Sequence, residues 1–461
     1  MEQQLQSIIE KTEHLIEYGT DRDLQHFLED QNISDVKELV DELPEQAPRF
    51  FEVLPIGRSV HVFRILDFPT QARILKKLSG HKISELINEL PPDDLTSLFS
   101  ELSGDAVKKL IILLPEEERK EALKLLGYKE DSVGRLMTPD YVAVKKHWKI
   151  SRVLDHIRRY GINSETINVI YVIDENGILQ DDLQIRKVLL ADPDTFVEDI
   201  VDNRLVSLNA NTNQEEAVQV FRMNNRVALP VTDDKNILLG IVTVDDILWV
   251  ANEEFTEDIQ KIGGTEALDE PYLDTPLFSL FKKRVGWLAV LMLGEMLTAT
   301  AMGFFEDQIQ KAVVLSLFIP LIISCGGNSG SQASTLIIQA MALGEVTLKD
   351  WWRVMRREIL SGLLLGTSLA IIGFARIYIW HLVDPTIYGD HWLLLSMAIS
   401  TSLVFVVLWG SFAGSMLPML LKRLGADPAT SSAPFVATLV DVTGLIIYFS
   451  CAVLFLRGVL L

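Results

Sequence analysis

The feature that most constrains this chain is a change in character near residue 276. Beyond that point, five mostly apolar segments follow one another. Each has the roughly 20 residues that an α-helix needs to cross a bilayer. The sequence therefore predicts a multidomain membrane protein that ends in a five-helix transmembrane domain. The segments are 285–305, 312–343, 359–380, 392–421 and 433–456.

Basic residues around these segments predict the orientation. Nine Lys and Arg side chains precede the first segment or follow the second and fourth, whereas the other two loops offer only Lys311. Positively charged loops stay on the cytoplasmic side. The N-terminus, MEQQLQSIIEKTEHL, lacks the apolar run of a signal peptide. We therefore expect a multi-pass protein of the cytoplasmic (inner) membrane, with cytoplasmic N-terminal domains and an external C-terminus.

Charge is as unevenly distributed as hydrophobicity. Residues 1–276 hold 30 basic and 53 acidic side chains, and the remaining 185 residues hold 12 and 10. This acidic excess argues against a nucleic-acid partner. It suits a metal cation, although solubility alone would explain it equally well. The two cysteines, Cys325 and Cys451, lie in apolar segments, which excludes a cysteine-based zinc site or disulfide framework in the soluble part.

Residues 1–130 show the 3.6-residue periodicity of amphipathic helices, and they also repeat. LVDELPEQAPRFF at 39–51 resembles LINELPPDDLTSLF at 86–99, and FPTQARIL is echoed by LPEEERKEAL. A period of about 46 residues is typical of stacked helical pairs. We predict an all-α, helical-repeat N-terminal domain, with the Leu-Pro pairs between helices and each Pro at or near a helix start.

Residues 131–252 contain a second duplication, built from strand-like runs followed by amphipathic helices. NVIYVID and VALPVTD are corresponding strands about 60 residues apart. The pattern resembles a tandem pair of cystathionine-β-synthase (CBS) domains, which are α/β modules that sense ligands. The copy with LPVTDDKNILLGIVTVDDIL matches better, because the first copy lacks the equivalent of Gly240. A ligand pocket is therefore less strongly indicated in the first copy.

A connecting segment, 253–284, leads to the transmembrane pore domain at 285–461. Its first part, EEFTEDIQKIGG, predicts a carboxylate-rich helix that ends at Gly263.

The second apolar segment contains PLIISCGGNSGSQASTLIIQA at 320–340. Its small residues permit close helix packing, or they expose backbone carbonyls to a pore. Packing alone is the simpler interpretation. The crowding of Asn328, Ser329, Ser331 and Gln332 favours a polar pore lining.

The fifth segment carries a single charge, Asp441, in LGADPATSSAPFVATLVDVTGLIIYF. It lies about 12 Å into the span, at 1.5 Å per residue. A partner cation or protonation would make it structural, but the basic groups of this region cluster near the helix ends. A carboxylate inside a membrane is by default a functional residue.

These motifs, together with the order of the domains, resemble the MgtE family of magnesium transporters and channels over essentially the whole chain. GGNSGSQASTLIIQA and DPATSSAPFVATLVDVTGL are similar to the membrane signatures of that family. The resemblance implies a homodimer with one pore between the second and fifth spans. It also implies a pore carboxylate at Asp441 and an acidic position at the cytoplasmic mouth at Asp427, although Asp427 could instead only cap the fifth helix. The pore-lining residues it implies are Asn328, Gly326, Gly327, Gln332 and Ala437.

The resemblance further implies that cytoplasmic Mg²⁺, bound between the acidic domains, closes the pore. For each residue alone, a solvated helix face is an equally good explanation. An adenine nucleotide such as ATP is a further expected ligand of the CBS pair. The expected metal ligands are Asp246, Glu254, Glu257 and Asp258, together with Asp93 and Asp94.

Two other functions remain open. A secondary transporter could couple Mg²⁺, Co²⁺ or Mn²⁺ to H⁺ or Na⁺, with Glu295 as its proton site, since Glu295 departs from the family pattern in the first span. A membrane sensor that conducts nothing would have no need of Asp441. An enzyme is not expected, because the sequence has neither a Walker-type phosphate loop nor an H-E-x-x-H motif.

Overall fold

The computed structural model of this chain describes residues 2–268, 271–273 and 275–458. The chain divides into two compact units, 1–252 and 253–461. Asp269, Glu270 and Asp274 of the expected connecting segment lie outside the described residues.

Helices fill the first 126 residues, as the periodicity predicts. Leu24, Phe50 and Phe63 are among the side chains of one apolar core that runs through them. Pro55, Pro91 and Pro115, each after a leucine, stand directly before helices, which confirms the expected role of the Leu-Pro pairs. The helices are α1 Glu2–Tyr18, α2 Asp21–Asp30, α3 Ile33–Glu42, α4 Ala47–Val53, α5 Ile56–Arg64, α6 Phe68–Lys77, α7 Gly80–Glu89, α8 Pro92–Glu101, α9 Gly104–Ile111 and α10 Glu116–Leu126.

The CBS-like duplication is visible as two small sheets of the same topology. In each, the first strand is parallel to the second and the second is antiparallel to the third, with a register shift at the same place. The first copy contains α11 Val133–Leu136, β1 Ala143–Val144, α12 Ile150–Tyr160, β2 Val169–Ile173, β3 Leu179–Gln184 and α13 Ile185–Leu190. The second contains β4 Leu208–Asn209, α14 Gln214–Asn224, β5 Ala228–Thr232, β6 Leu238–Thr243 and the first turns of α15 Val244–Ile262.

The connecting helix is the continuation of that last CBS helix. The sequence predicts a helix from residue 253, whereas α15 begins at Val244 and runs without a break to Ile262. Gly264, with a φ of +76°, follows its C-terminus in the left-handed conformation that glycine tolerates. The predicted end of the helix is confirmed, and its start lies nine residues earlier.

Five helices of unit 253–461 are long and apolar enough to cross a membrane, as the sequence predicts. The third begins well before the apolar run that identifies it, because amphipathic turns extend it. The helices of this unit after α15 are α16 Leu277–Phe304, α17 Glu306–Lys311, α18 Ile319–Ala342, α19 Trp351–Val383, α20 Trp392–Arg423 and α21 Ala433–Leu456.

Glycines bring α18 and α20 into backbone contact. A Cβ atom at Gly410 would stand 2.3 Å from the Gly326 carbonyl oxygen, and one at Gly414 would stand 2.1 Å from that of Gly330. The two pairs are each four residues apart along their helices, which is the small-residue pattern of tight membrane helix packing. α21 packs against both helices, and α16 joins the bundle through α21.

Candidate metal centres

Asp441 lies on α21 beside the double glycine of α18. Its Oδ1 atom is 3.7 Å from the position that a Cβ of Gly327 would occupy, and the Ala437 Cβ is 3.5 Å from the same position. Within the described residues, no hydrogen bond or ion pair engages the Asp441 side chain. The absence of a side chain at Gly327 thus leaves space around a carboxylate that lies well inside the apolar span.

A polar stripe runs along α18 next to this carboxylate. Ser324, Asn328 and Gln332 recur at four-residue intervals and are exposed on the isolated chain. The Asn328 side-chain amide is 3.4 Å from the Ser324 hydroxyl and donates to it. Residues four apart share one face of a helix. This face therefore presents hydrogen-bonding groups to its surroundings in the middle of an apolar helix.

The other small and polar residues of the motif serve helix packing. Gly326 is buried against Val406 and Val440. It therefore has the helix-packing role that was the simpler interpretation of the small residues in this motif. The Ser329 hydroxyl lies 2.7 Å from that of Ser411, and Ser331 donates to the Ala433 carbonyl oxygen. The motif thus has two faces, one that joins helices and one that stays open.

Glu295 is the carboxylate of the first span that departs from the family pattern. It lies on α16, is exposed on the isolated chain, and its charge acts on the Asp441 carboxylate. In the sequence, Glu295 is conspicuous because it is a single carboxylate in an apolar span. Asp441 is conspicuous for the same reason.

A lysine links two of the expected metal ligands. Lys261 donates to Asp427 Oδ2 at 2.7 Å and also contacts the Glu257 carboxylate. Burial opposes the charged ammonium, but the bonds to these two carboxylates outweigh it and raise the pKa of Lys261. Glu254 lies three residues before Glu257 on the same helix and Asp258 directly follows it, and both are half-buried.

Asp427 also caps a turn, although not the one expected. Its Oδ1 accepts a hydrogen bond from the Ala429 amide at 2.8 Å, which caps the short 3-10 turn Pro428–Thr430. Ser432 is the N-cap of α21 and accepts from the Phe435 amide. The alternative that Asp427 caps the fifth helix is therefore wrong, because the 3-10 turn intervenes.

The cytosolic unit contains a buried acidic cluster. Asp93 and Asp94 occupy the first turn of α8, and Asp246 occupies the first turn of α15. Asp93 is 3% exposed, and in the described part of the chain neither of its carboxylate oxygens has a hydrogen-bond partner. Asp246 accepts from the Thr243 hydroxyl at 2.6 Å. Three carboxylates that are far apart in the sequence thus come within electrostatic range of one another.

One cation of the protein itself belongs to this cluster. Arg64, at the end of α5, lies with Nε 2.5 Å from Asp94 Oδ2 and with a terminal nitrogen 3.2 Å from Glu165 Oε1. Its single positive charge faces the negative charges of Asp93, Asp94, Asp246 and Glu165. The cluster therefore retains an excess of negative charge when every carboxyl is ionised.

Burial and the excess of negative charge together raise the pKa values of the carboxyl groups in this cluster. Burial, reinforced by the charges of Asp246, Asp94 and Glu165, raises the pKa of Asp93 well above its ordinary value. Burial raises the pKa of Asp94 to about 7 although Arg64 opposes the shift. It also raises the pKa of Asp246 to about 6, against the hydrogen bonds from Thr243. Near neutral pH, these carboxyl groups therefore retain protons more readily than exposed carboxyl groups do.

The residues fit a hydrated divalent cation better than a fully stripped one. No group of three or more His, Cys, Asp or Glu side chains in the described part of the chain is arranged to hold a metal ion directly. Mg²⁺ usually retains several waters and contacts one or two carboxylates. The Asp93 oxygens, which have no hydrogen-bond partner among the described residues, would be available for such a contact.

In the second CBS copy, Gly240 permits a close backbone approach. A Cβ there would stand 2.6 Å from the Thr138 carbonyl oxygen, which accepts a hydrogen bond from the Ile241 amide. At the corresponding place in the first copy, Asp181 is fully buried and accepts from the Asn203 amide. The missing glycine of the first copy is thus replaced by a hydrogen-bonded carboxylate.

Comparisons with known proteins agree with this organisation. Three family descriptions match the chain: "MgtE intracellular N domain" at residues 13–131, "CBS domain" at 133–180 and 185–253, and "Divalent cation transporter" at 319–451. The chain is 37% identical to a magnesium transporter MgtE of Thermus thermophilus, over 96% of this chain and 97% of that one. It is 28% identical to one of Bacillus subtilis, over 96% of each chain.

Among solved structures, the cytosolic domain of an Mg²⁺ channel MgtE in complex with ATP is similar to the cytosolic part. It is 34% identical, with a TM-score of 0.51, and the match covers 52% of this chain and 99% of that one. The helical N-terminal region and the CBS pair therefore have the fold of a known cytosolic domain.

Proposed function

This chain belongs to the MgtE family of magnesium transporters, and on that premise we propose that it works as a dimeric Mg²⁺ channel that cytoplasmic Mg²⁺ closes. The observation that carries this proposal is the open polar stripe of α18 beside Asp441. In hydrocarbon, an unpaired carboxylate and its polar neighbours would be costly. In a water-filled pore, the same carboxylate and polar groups could bind a cation and its waters.

A two-fold axis along this face would produce a pore. Two copies of Asp441 would then face one another, with Asn328 and then Gln332 of each copy following on one side of them. The exposed position of these side chains on a single chain supports this arrangement. The Gly326–Gly410 and Gly330–Gly414 contacts lie on the other side of α18 and would hold each half of the pore rigid.

The ion would pass with its waters. Mg²⁺ releases its hydration shell reluctantly, and Asp441 would contact it through water. Coulomb attraction to two carboxylates is twice as large for a divalent cation as for a monovalent one at the same distance. Asn328 and Gln332 can donate or accept hydrogen bonds with the remaining waters.

Closure of the pore would use two groups of carboxylates, one formed by Asp93, Asp94 and Asp246 and the other at the membrane end of α15. Cytoplasmic Mg²⁺ near Asp93, Asp94 and Asp246 would relieve the repulsion within the cluster and favour the packed arrangement. At low Mg²⁺ the repulsion would favour separation, which is a shift of population driven by differential binding. Glu254, Glu257, Asp258 and Asp427 would act at the membrane end of α15, where Lys261 already links Glu257 and Asp427.

We place an adenine nucleotide at the CBS pair within the same proposal. The related cytosolic domain in complex with ATP supports it. The limits proposed for the four parts are 1–130, 131–252, 253–284 and 285–461, with the N-terminal parts in the cytoplasm and the C-terminus outside.

The decisive experiment is Asp441→Asn in purified protein reconstituted in planar bilayers. The wild type should give currents that reverse at the Mg²⁺ equilibrium potential and fall when Mg²⁺ is added on the cytoplasmic side. Asp441→Asn should fold but pass no Mg²⁺. A reversal potential that follows the gradient of H⁺ or Na⁺ would instead support the coupled transporter.

A further inference from the structure

The first membrane helix carries a carboxylate that the proposed pore does not yet use. Glu295 lies in α16 between apolar neighbours and is exposed on the isolated chain. Leu293, Met296 and Leu297 are also exposed, at 66%, 54% and 59%. At 100° per residue, these three side chains point to a different side of the helix from Glu295. Met292, three residues before Glu295 and on its side of the helix, is 63% exposed as well. Glu295 therefore lies on an apolar helix surface, where a carboxylate surrounded by lipid alone would be unfavourable.

Packing of α16 on α21 fixes the level of Glu295 in the bundle. A Cβ at Gly294 would stand 2.7 Å from Thr438 Cγ2, and the Phe305 ring stacks on Phe449 at 4.8 Å. In both pairs, Gly294 with Thr438 and Phe305 with Phe449, the residue of α21 follows its partner in α16 by the same 144 positions. The two helices therefore run parallel in this stretch. The same offset places Glu295 level with Leu439. Asp441 is two residues further, or about 3 Å along the axis.

Glu295 also lies within electrostatic range of Asp441. The Glu295 charge acts on Asp441, and within the described residues neither side chain forms an ion pair. Two unpaired negative charges at one depth of a bilayer repel each other unless a cation or water lies between them.

We propose that Glu295 is a second carboxylate of the conduction path, which faces the same hydrated cation as Asp441 and increases the preference for divalent over monovalent ions. The inference rests on the proposed channel function. In a dimer the path would then carry four carboxylates at nearly one level. An ion with two charges gains twice as much from each added carboxylate as an ion with one charge.

The test compares Glu295→Gln with Glu306→Gln in reconstituted protein. Glu306 is a matched control because it lies outside the span, just beyond the end of the same helix, and is exposed. Glu295→Gln should raise the Mg²⁺ concentration for half-maximal current by roughly tenfold, since Coulomb attraction of this kind changes binding on that scale. It should also lower the Mg²⁺/K⁺ permeability ratio, whereas Glu306→Gln should leave both unchanged.

The proposal for Glu295 is overturned if Glu295→Gln matches the wild type in both quantities while Asp441→Asn abolishes the current. Failure of the channel function looks different, because the wild type itself would then pass no Mg²⁺. Glu295→Asp should keep at least part of the divalent preference, which separates a role of charge from one of shape.

A second measurement covers the case in which Glu295→Gln does not fold. Glu295→Cys in a Cys325→Ser/Cys451→Ser background should react with charged, membrane-impermeant thiosulfonate reagents, because they need a water-filled path. A negatively charged reagent should restore Mg²⁺ current, a positively charged one should block it, and added Mg²⁺ should slow both reactions. No reaction under native conditions, with full reaction after denaturation, would place the side chain in lipid and end the proposal.

Discussion

Carboxylates lie in unfavourable surroundings in two regions of this molecule, and the two regions treat them differently. In the cytosolic unit, Asp93, Asp94 and Asp246 share their space with Arg64. In the membrane domain, Asp441 and Glu295 have no cationic partner within the described residues. The cytosolic carboxylates thus have an arginine of the protein beside them, whereas on our proposal the permeating ion would neutralise the carboxylates of the membrane domain.

The helices around the two groups of carboxylates also differ in how freely they can move apart. The cytosolic carboxylates come from the first turns of separate helices, so repulsion can be relieved by a proton, by a cation or by separation. Asp441 lies beside helices whose backbones touch at Gly326–Gly410 and Gly330–Gly414. Since packed interiors resist deformation, separation of the helices is not available there to relieve the charge. This contrast suits a movable sensor and a rigid passage.

The largest effect should follow from loosening the rigid region. Gly414→Ala would place a methyl carbon 2.1 Å from a backbone oxygen of α18, and this neighbour cannot rotate away. We expect a loss of about 3 kcal/mol in the free energy of unfolding, as overpacking produces, and a low yield of folded protein. Thermal melting and size-exclusion chromatography in detergent would measure both.

Gly327→Ala is the matched control, because its Cβ would meet neighbours only at 3.5 Å or beyond. It should melt close to the wild type. Equal melting of the two variants would contradict the proposed rigidity of the α18–α20 contact.

The next effect should follow from removing the charge of the sensor. Asp93→Asn, Asp94→Asn and Asp246→Asn together remove the repulsion that separates the cytosolic elements at low Mg²⁺. The triple variant should therefore give a current that no longer changes with cytoplasmic Mg²⁺, as patch-clamp recording at several Mg²⁺ concentrations would show. Normal closure by Mg²⁺ would refute the assignment of the sensor to this cluster.

A smaller effect should follow from removing the intrinsic cation. Arg64→Gln leaves Asp94 and Glu165 without their partner, at side-chain exposures of 24% and 16%. We expect the Mg²⁺-free protein to lose about 1–2 kcal/mol of stability, between the values for surface and buried pairs. The stabilisation by added Mg²⁺, measured as a shift in melting temperature, should become larger than in the wild type.

Arg49→Gln is the control for that substitution, since Arg49 pairs with the exposed Asp21 away from the cluster. Its response to Mg²⁺ should equal that of the wild type. If Arg64→Gln responded no more strongly than Arg49→Gln, the arginine would not share the cluster with the ion.

The smallest effect is a dependence on pH in the absence of Mg²⁺. The pKa values of Asp94 and Asp246 are raised from 3.8 to about 7 and about 6. The packed arrangement therefore holds more protons than a separated one, and its stability falls as pH rises. The contribution is complete below pH 3.8 and disappears as pH rises through about 6 and 7. Asp93, Glu165, Asp245 and Arg64 are the other charged groups that act there.

Protection of the full-length protein from limited proteolysis should thus be greater at pH 5.5 than at pH 8 in Mg²⁺-free buffer, a range that spans the two raised pKa values. The triple Asn variant should show no such difference. An equal pH response in both proteins would place the titrating groups elsewhere.

Much of this structure could be predicted because its signals are local. Apolar length identified five spans, and the last, 433–456, agrees with α21 at both ends. Repetition identified the helical N-terminal domain and the two CBS copies. Asp441 and Glu295 stood out for the same reason, since one charge in an apolar helix needs no knowledge of its neighbours to be conspicuous.

The pairings between distant residues could not be predicted in this way. Arg64 meets Glu165 across 101 positions, and Lys261 meets Asp427 across 166. Gly326 and Gly327 look alike in the sequence, yet one packs against Val406 and the other borders Asp441. Adjacent residues of a helix point about 100° apart, so their roles depend on how each helix is rotated against its neighbours.

The sequence by itself thus determined which segments are helices, strands and membrane spans, because periodicity and apolar length act within each segment. Only the tertiary structure decided which carboxylates share a space and which one has an arginine beside it. Those choices depend on the approach of elements that are far apart in the chain, where small rotations exchange a packed residue for an exposed one.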